Sequence, residues 1–357
     1  KGSRFLDPAK DFLPNVRSRN WLRFTFPIHG GFSGLNIFDK NKFKMTDTAA
    51  RREMNDTSNE SGVRSATVAS IRKAIDVIEE KSDIDIQLLA IPGLRHTIIT
   101  DYAIEAVERR FDALFIMDIE EKDTSNIFVT SSVQNADLSN TITQFRDRAL
   151  DSSFAAAYFP DVVITDPSTR TNVQCPPSVA VLGAFALNDK IGHPWFAPAG
   201  FARGVLRSVL QTQFKLEESD LDDLYAVDIN SIVARSHSPG AVIFGQKTLL
   251  ATQTALDRIN VRRLLINIRR VVRTVANTLL FEPNRAQTLA SFSAAVDPLL
   301  AKIQQQRGLT RYKIQIDTST TTREDVQNNT IRGKIFLQPT RSGEFVSLDF
   351  TAGLENF

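Results

Sequence analysis

The strongest periodic pattern in the chain lies between Arg258 and Asn284. Apolar residues recur there three and four positions apart, which is the spacing of one face of an α-helix. They are Val261, Leu264, Leu265, Ile268, Val271, Val272, Val275 and Leu279. Pro283 is predicted to end the helix, because its ring clashes with the preceding turn and it has no N–H to donate. One broad face of this helix is therefore expected to pack against a core.

Arginine dominates the rest of the same helix. Residues 258–285 hold seven arginines against Glu282 alone, a local charge of +6 in a chain with a net charge of +2. Six of them lie within the helical pattern: Arg258, Arg262, Arg263, Arg269, Arg270 and Arg273. Such a face can be a solvated surface whose stems cover apolar area, a phosphate-binding surface, or a contact for a protein partner.

The chain also contains a candidate complement to this helix. Residues 215–228 hold six acids against one lysine: Glu217, Glu218, Asp220, Asp222, Asp223 and Asp228. Opposite patches can pair within one chain or between copies, and in the second case they set the register of the copies. The sequence leaves both possibilities open.

Helical stripes alternate with short apolar runs in the first half of the chain. Helices are predicted over 65–81, 98–110 and 176–187, and strands over 84–91, 113–119 and 155–165, the last with a break at Pro160. Residues 40–62 are polar and are predicted to be a loop. Helix, strand, helix, strand with short turns is typical of an α/β fold with buried parallel strands.

The second half predicts a different arrangement. A helix over 217–227 precedes strands over 229–235 and 241–245, and a helix over 285–307, interrupted or bent at Pro298, follows the arginine helix. Strands are predicted over 312–317, 331–338 and 344–350, where alternation implies one buried face against the two long helices. We therefore predict three segments, 1–20 as a lead-in, 21–192 as an α/β domain and 193–357 as an α+β domain, with the boundary in 191–204.

Composition is that of an ordinary globular protein, with 42% hydrophobic and 24% charged residues. The single cysteine, Cys175, excludes an internal disulfide, and it is predicted to be buried and structural. Four scattered histidines form no metal-binding motif. The acid pairs Glu79–Glu80, Glu120–Glu121 and Asp222–Asp223 are expected to be solvated. No catalytic, cofactor-binding or metal-ligating residue is therefore predicted.

A glycine loop at 29–34 (HGGFSG) and the α/β pattern are the two sequence features that suggest an enzyme. The spacing of the loop fits neither a P-loop nor a dinucleotide fingerprint, so a structural loop is the preferred interpretation. A nucleotide- or phosphate-binding α/β enzyme remains an alternative, as does a nucleic-acid-binding module that uses the arginine helix.

Several blocks in order resemble the tail sheath proteins of contractile bacteriophages. They are DIDIQLLAIPG at 83–93, SSFAAAYFPDVVITDP at 152–167, CPPSVAVLGAFALND at 175–189, HPWFAPAGFARGVL at 193–206, PGAVIFGQKTLL at 239–250, NVRRLLINIRR at 260–270, FEPN at 281–284, and the closing run at 312–350. The resemblance implies a structural polymer of stacked six-fold rings around an inner tail tube, and not an enzyme. It also implies that the C-terminal domain lies nearest the tube and accepts strands from the arms of neighbouring copies.

The resemblance implies partners and candidate contact residues as well. Expected partners are other copies of the chain, the tail tube, the baseplate and the tail terminator, with no direct nucleic-acid contact and no membrane insertion. The location implied is the virion, and the host cytoplasm during assembly. Candidates for intersubunit or tube contacts are Arg262, Arg263, Arg269, Arg270, Glu217, Glu218, Asp222 and Asp223. The chain begins without methionine and is interpreted as a fragment lacking the family's N-terminal arm.

Overall fold

The computed structural model describes residues 46–55, 62–80, 84–129, 136–166, 168–234, 240–278, 286–316, 320 and 332–342. The lead-in segment, the glycine loop at 29–34 and the strand predicted over 344–350 lie outside these residues, and so does Pro283.

The helices and strands follow the predicted order with several additions. The helices are α1 (Asp47–Asn55), α2 (Ala66–Glu79), α3 (Thr97–Arg110), α4 (Leu138–Asp147), α5 (Pro177–Ile191), α6 (Gly200–Arg203), α7 (Glu218–Ala226), α8 (Ile259–Asn277) and α9 (Ala286–Gln305). The strands are β1 (Leu88–Ala90), β2 (Leu114–Asp118), β3 (Ala155–Phe159), β4 (Val162–Thr165), β5 (Asn172–Cys175), β6 (Val205–Leu206), β7 (Val209–Thr212), β8 (Ile229–Ala234), β9 (Ala241–Phe244), β10 (Leu309–Gln315) and β11 (Lys334–Pro339).

A six-stranded sheet in the order β1-β2-β3-β8-β9-β6 forms the centre of the fold. Strands β1, β2, β3 and β8 are parallel, and β9 and β6 add antiparallel pairs. Phe115 of β2 packs in one apolar core with α2 and α3, whereas Ile116 packs in a second core with α5. Helices therefore cover both faces of the sheet, which explains the continuous apolar runs and confirms the predicted largely parallel α/β sheet.

The predicted break at Pro160 separates two strands that belong to different sheets. β3 lies in the central sheet, whereas β4 is the middle strand of a three-stranded sheet in the order β5-β4-β7. β5, β6 and β7 were not predicted, because they are two to four residues long and largely polar or exposed on one side.

The prediction that residues 40–62 are a loop is wrong for Asp47–Asn55, which forms α1. The helix is polar, but it buries Ala49 and Ala50. The buried carboxylate of Glu53 accepts hydrogen bonds from the main-chain N–H and the hydroxyl of Thr67, at 2.8 Å and 2.5 Å. This carboxylate caps the N-terminus of α2, where N–H groups lack helical partners, so α1 is held by a polar contact that apolar periodicity does not reveal.

The two long helices α8 and α9 pack on the two-stranded antiparallel sheet β10–β11. Their shared core consists of Trp195, Leu264, Ile268, Val296, Leu300, Ile303 and Leu309, with Tyr312, Ile314, Ile335 and Leu337 packed against it. This arrangement, called the C-terminal module below, confirms the predicted α+β part of the fold. The helix α8 ends at Asn277, and α9 continues through Pro298.

The central sheet contains strands from both sides of residue 192. β1, β2 and β3 precede it, and β8, β9 and β6 follow it. The boundary between 192 and 193 stays a prediction, and the geometry assigns the C-terminal module to the residues from α8 onwards together with Trp195.

Candidate functional site

The arginines near the start of α8 point into the protein. Arg262 is only 9% exposed, and its Nε donates to the main-chain oxygen of Ser153 at 3.2 Å. Its guanidinium also donates to the Ser153 hydroxyl and lies 4.0 Å from the centre of the Phe154 ring. Burial lowers the pKa of Arg262 to about 10. Arg262 thus joins α8 to the start of β3.

Arg263 makes a second internal connection. It is 3% exposed, its Nη2 lies 2.5 Å from Oδ2 of Asp189, and its guanidinium lies 5.0 Å from the centre of the Phe185 ring. Asp189 and Phe185 both belong to α5. For Arg262 and Arg263, the contacts are therefore intramolecular, which is the alternative that the sequence left open. Their role at an intersubunit or tube contact is not supported by this geometry and stays a prediction.

The later arginines of α8 reach the surface. Arg269 is exposed, with its guanidinium 4.9 Å from the centre of the Phe111 ring. Arg270 is half-buried and forms an ion pair with Asp85, whose side chain is 75% exposed. Since exposed ion pairs contribute about 0–1 kcal/mol, this pair can exchange for another partner at little cost. Arg269 and Arg270 remain candidates for a contact with another protein.

The acidic candidates lie on the surface of α7. Glu217, Glu218, Asp222 and Asp223 are exposed, and no basic residue in the described part of the chain forms an ion pair with them. The helix is anchored by the buried Leu224 and begins with a capping box between Glu217 and Asp220. Its acidic face is thus held rigidly on the outside of the sheet, and its role in a contact stays a prediction.

The sheet of the C-terminal module has unpaired borders in the described part of the chain. β10 and β11 pair only with each other there, in an antiparallel register that places Tyr312 opposite Leu337 and Lys313 opposite Phe336. An edge strand presents main-chain N–H and C=O groups that a further strand can bind. A further strand that reaches one of these borders would therefore make a β-augmentation contact.

Charge is concentrated in the same part of the chain. Residues 258–342 hold fifteen Lys and Arg against five Asp and Glu, a charge of +10, whereas the whole chain carries +2. The remaining residues therefore carry −8. This division predicts attraction between the C-terminal module and an acidic surface on a partner.

The expectation that Glu120 and Glu121 are solvated is wrong. They are 2% and 3% exposed, directly after β2, and Arg51 pairs with Glu120 at 2.6 Å while Arg95 pairs with Glu121 at 2.7 Å. Arg95 also forms an ion pair with Asp161. Burial raises the pKa of Glu121 to about 7, against the opposing effect of Arg95. Sequence analysis missed this cluster, although its position at the end of a buried strand was a usable signal.

Asp118 completes this polar cluster at the carboxyl end of β2. Its carboxylate accepts hydrogen bonds from the main-chain N–H of Gly93 at 3.0 Å, and from the N–H and the hydroxyl of Ser178, both at 2.8 Å. Burial raises the pKa of Asp118. Open α/β sheets bind ligands beyond the carboxyl ends of their strands. In the described residues, that position is filled by charged groups that bind one another.

Other features of the described residues give no support to catalysis or metal binding. No group of three or more His, Cys, Asp and Glu side chains in those residues is arranged to hold a metal ion. Cys175, predicted to be buried, is half-buried and free, and burial raises the pKa of its thiol. None of the helices in the described ranges is both long and apolar enough to cross a membrane.

Comparison with known proteins shows a similarity to one class of structural protein. The chain is 32% identical over 172 residues to a tail sheath protein of Vibrio phage KVP40, and 25% identical over 298 residues to a tail sheath protein of Enterobacteria phage T4. The chain is similar to phage tail sheath proteins. These two matches cover 48% and 80% of the chain but only 26% and 45% of the relatives, so the chain spans less than half of their length. No family model matches the chain.

Solved structures agree on the fold. A chain from the anti-feeding prophage baseplate, six-fold symmetrised, superposes with a TM-score of 0.63 at 22% identity, over 80% of this chain and 73% of that one. A chain from the sheath complex of the extracellular contractile injection system PVC, in its contracted state, superposes with a TM-score of 0.62 at 23% identity, over 78% and 75%. The mixed α/β fold described above is thus shared with these two solved structures. The similarity to tail sheath proteins does not favour the enzyme and nucleic-acid alternatives.

Proposed function

We propose that this chain is part of a structural subunit of a contractile phage tail sheath. In this proposal the subunit polymerises as stacked six-fold rings around the inner tail tube, and contraction of the sheath drives the tube through the host envelope. The observation that carries the proposal is the match to the T4 tail sheath protein, because it extends over 80% of this chain. The protein acts as a mechanical polymer and not as an enzyme.

The C-terminal module has the physical properties that a persistent link between subunits requires. Main-chain hydrogen bonds between two strands fix how the strands pair. They do not fix the relative orientation of the two subunits to which the strands belong. A strand donated by a neighbouring copy to the border of β10–β11 could therefore stay bound while the subunits rotate and slide. In this proposal the link persists and the other surfaces exchange partners during contraction.

The charge of the module supports a proposed position next to the tail tube. We place residues 193–357 nearest the tube, because the positive charge of 258–342 favours an acidic tube surface. Arg269 is exposed and Arg270 is half-buried on α8, so both are among the arginines of this helix that can reach such a surface. The proposed partners are other copies of the chain, the tube, the baseplate and the tail terminator. The proposed location is the virion tail, preceded by assembly in the host cytoplasm.

Electron microscopy of the full-length protein expressed alone tests this function. We expect long hollow cylinders, because in this proposal each full-length subunit has the strands that link it to neighbouring copies and needs no other protein to polymerise. The control is the same protein lacking the residues from 309 onwards, which removes the accepting sheet and should leave short or no cylinders. Full-length protein that remains in small particles at every concentration and salt condition would contradict the proposal.

A further inference from the structure

The outer face of the β10–β11 sheet carries three cations around an exposed aromatic ring. Phe336 is 53% exposed, and Lys313 lies directly opposite it on the neighbouring strand. Arg311 is two residues from Lys313 on β10, and Lys334 is two residues from Phe336 on β11. Because side chains two residues apart on a strand point to the same side, all four share one face of the sheet. Arg311, Lys313 and Lys334 are exposed, and none has an ion pair among the described residues.

This face is distinct from the one that holds the module together. Tyr312, Ile314, Ile335 and Leu337 point to the opposite side, where they pack on the core with α8 and α9. The outer face also differs from the strand borders used for β-augmentation, since side chains project perpendicular to the main-chain hydrogen bonds. It is therefore a separate surface with its own chemistry, basic at the periphery and aromatic at the centre.

The same chain carries a rigid surface of opposite charge. Glu218 and Asp222 are four residues apart on α7 and so lie on one face of that helix, with Cβ atoms about 5–6 Å apart. Neighbouring residues on one face of a strand, such as Arg311 and Lys313, are separated by about 7 Å. Because the two spacings are similar, one turn of α7 can place both carboxylates beside cations of the sheet, with the carbon stems of the acids against the Phe336 ring.

We propose that the outer face of β10–β11 is a docking surface for the acidic helix α7 of a second copy of this chain. The proposal rests on the proposed function as a polymer and names one of its contacts. The contact joins two different patches, so it is heterologous, and it leaves the sheet face free on one copy and the acidic helix free on the other. Repetition of such a contact produces a ring or a helix and not a closed dimer, in keeping with an assembly of stacked rings.

Charge reversal on each side tests the contact in the full-length protein. One variant carries Lys313→Glu with Lys334→Glu, and the other carries Glu218→Lys with Asp222→Lys. All four side chains are exposed or point to solvent, so both variants should fold, as judged by an unchanged circular dichroism spectrum and melting temperature. The control is Lys73→Glu with Arg146→Glu, which makes the same change in net charge as the lysine variant, at exposed positions elsewhere.

Sedimentation at low salt measures the concentration at which half of the protein is assembled. Each reversed variant alone should require at least a tenfold higher concentration than the wild type, since acid then faces acid or base faces base. An equimolar mixture of the two variants should assemble within about threefold of the wild type, because alternating copies restore opposite charges at every contact. The control variant should assemble as the wild type does.

The possible outcomes distinguish a failure of the proposed docking surface from a failure of the proposed sheath function. If the wild type assembles and both reversed variants assemble equally well, or if the mixture does not recover, the docking surface is wrong while the sheath function stands. If the wild type itself does not assemble at any concentration, both are wrong.

Discussion

The indole Nε1 of Trp195 donates a hydrogen bond to the main-chain oxygen of Gln306, with 3.1 Å between the nitrogen and the oxygen. The two residues are 111 positions apart. Trp195 is 8% exposed and packs in the core of the C-terminal module, and its ring stacks on His193 with 4.7 Å between centroids. The segment 191–204, in which the domain boundary is predicted, is therefore attached to the residue that follows α9.

We expect Trp195→Ala to lower the free energy of unfolding by about 3–5 kcal/mol. The substitution leaves a cavity between α8, α9 and β10, and it removes the donor for the Gln306 oxygen. Chemical denaturation of the folded chain measures the change. Because this core holds the module, the variant should also lose part of any sheath assembly.

Phe201→Ala is the control for this prediction. Phe201 is 58% exposed and belongs to the short helix α6 of the same segment. Its truncation should cost less than about 1 kcal/mol, as expected at an exposed site. If both substitutions lowered the free energy of unfolding equally, the buried indole of Trp195 would not be what stabilises this segment.

Arg262 offers a test of a buried cation that has no carboxylate partner among the described residues. We expect Arg262→Met to change the free energy of unfolding by no more than about 1–2 kcal/mol, because removing a desolvated charge offsets the loss of the bonds to Ser153. Methionine retains an unbranched stem and can contact the Phe154 ring through its sulfur. Equilibrium unfolding in urea at pH 7 measures both this variant and Arg262→Glu.

The glutamate variant makes the test decisive. A carboxylate at this position would be buried beside the main-chain oxygen of Ser153. Arg262→Glu should therefore cost about 3–5 kcal/mol, in the range found for an uncompensated buried charge. A methionine variant that is destabilised as strongly as the glutamate variant would mean that the positive charge itself stabilises the fold.

The raised pKa of Glu121 predicts a pH dependence of stability. Burial raises this pKa from 4.5 to about 7. Between pH 4.5 and 7 the folded state binds more protons than the unfolded state at this site, so stability falls as pH rises through that window. The contribution is complete below pH 4.5 and is lost above pH 7. Relative to Glu121→Gln, the wild type should lose on the order of 1–3 kcal/mol between pH 5 and pH 7.

Thermal or urea unfolding at several pH values provides the measurement. Glu105→Gln is a suitable control, because Glu105 is an exposed residue on α3 with only an ion pair to Arg109. The free energy of unfolding of this control should change with pH in the same way as that of the wild type. If the free energy of unfolding of Glu121→Gln also changed with pH in that way, this would show that Arg95 keeps Glu121 ionised throughout the window.

The surface arginines of α8 provide a test of the predicted contacts. We expect Arg269→Glu with Arg270→Glu to leave the fold stable to within about 1 kcal/mol, since the Arg270–Asp85 pair is exposed on one side. In the full-length protein the same change should impair assembly or contraction, because two charges change sign on a surface proposed to contact an acidic partner. Electron microscopy of the variant checks this, and cylinders with normal length and contraction would remove these arginines from the interface.

Apolar periodicity predicted the parts of the fold whose stability comes from burying one face. The helix α8 was predicted because Leu264 and Ile268 recur at helical spacing, and both are buried in the module. The alternation of Tyr312 and Ile314 likewise predicted the face of β10 that packs on the helices. In such elements the local apolar pattern identifies the face that makes the tertiary contact, so the sequence alone predicts it.

The features that were missed depend on contacts between distant residues. Glu121 and Arg95 are 26 positions apart, and Arg262 and Ser153 are 109 apart, so no local pattern marks them as pairs. A charged residue next to a buried strand is predicted to be exposed unless its partner is known. The arginine face of α8 was therefore predicted as one surface, whereas its first turns face inward and its later turns face solvent.

The most direct test of the account is a high-resolution electron-microscopy map of the polymer formed by the full-length protein. We expect a strand from a neighbouring copy to be hydrogen-bonded to a border of the β10–β11 sheet, with the same pairing before and after contraction. A map in which every strand of that sheet comes from one copy, in both states, would contradict it.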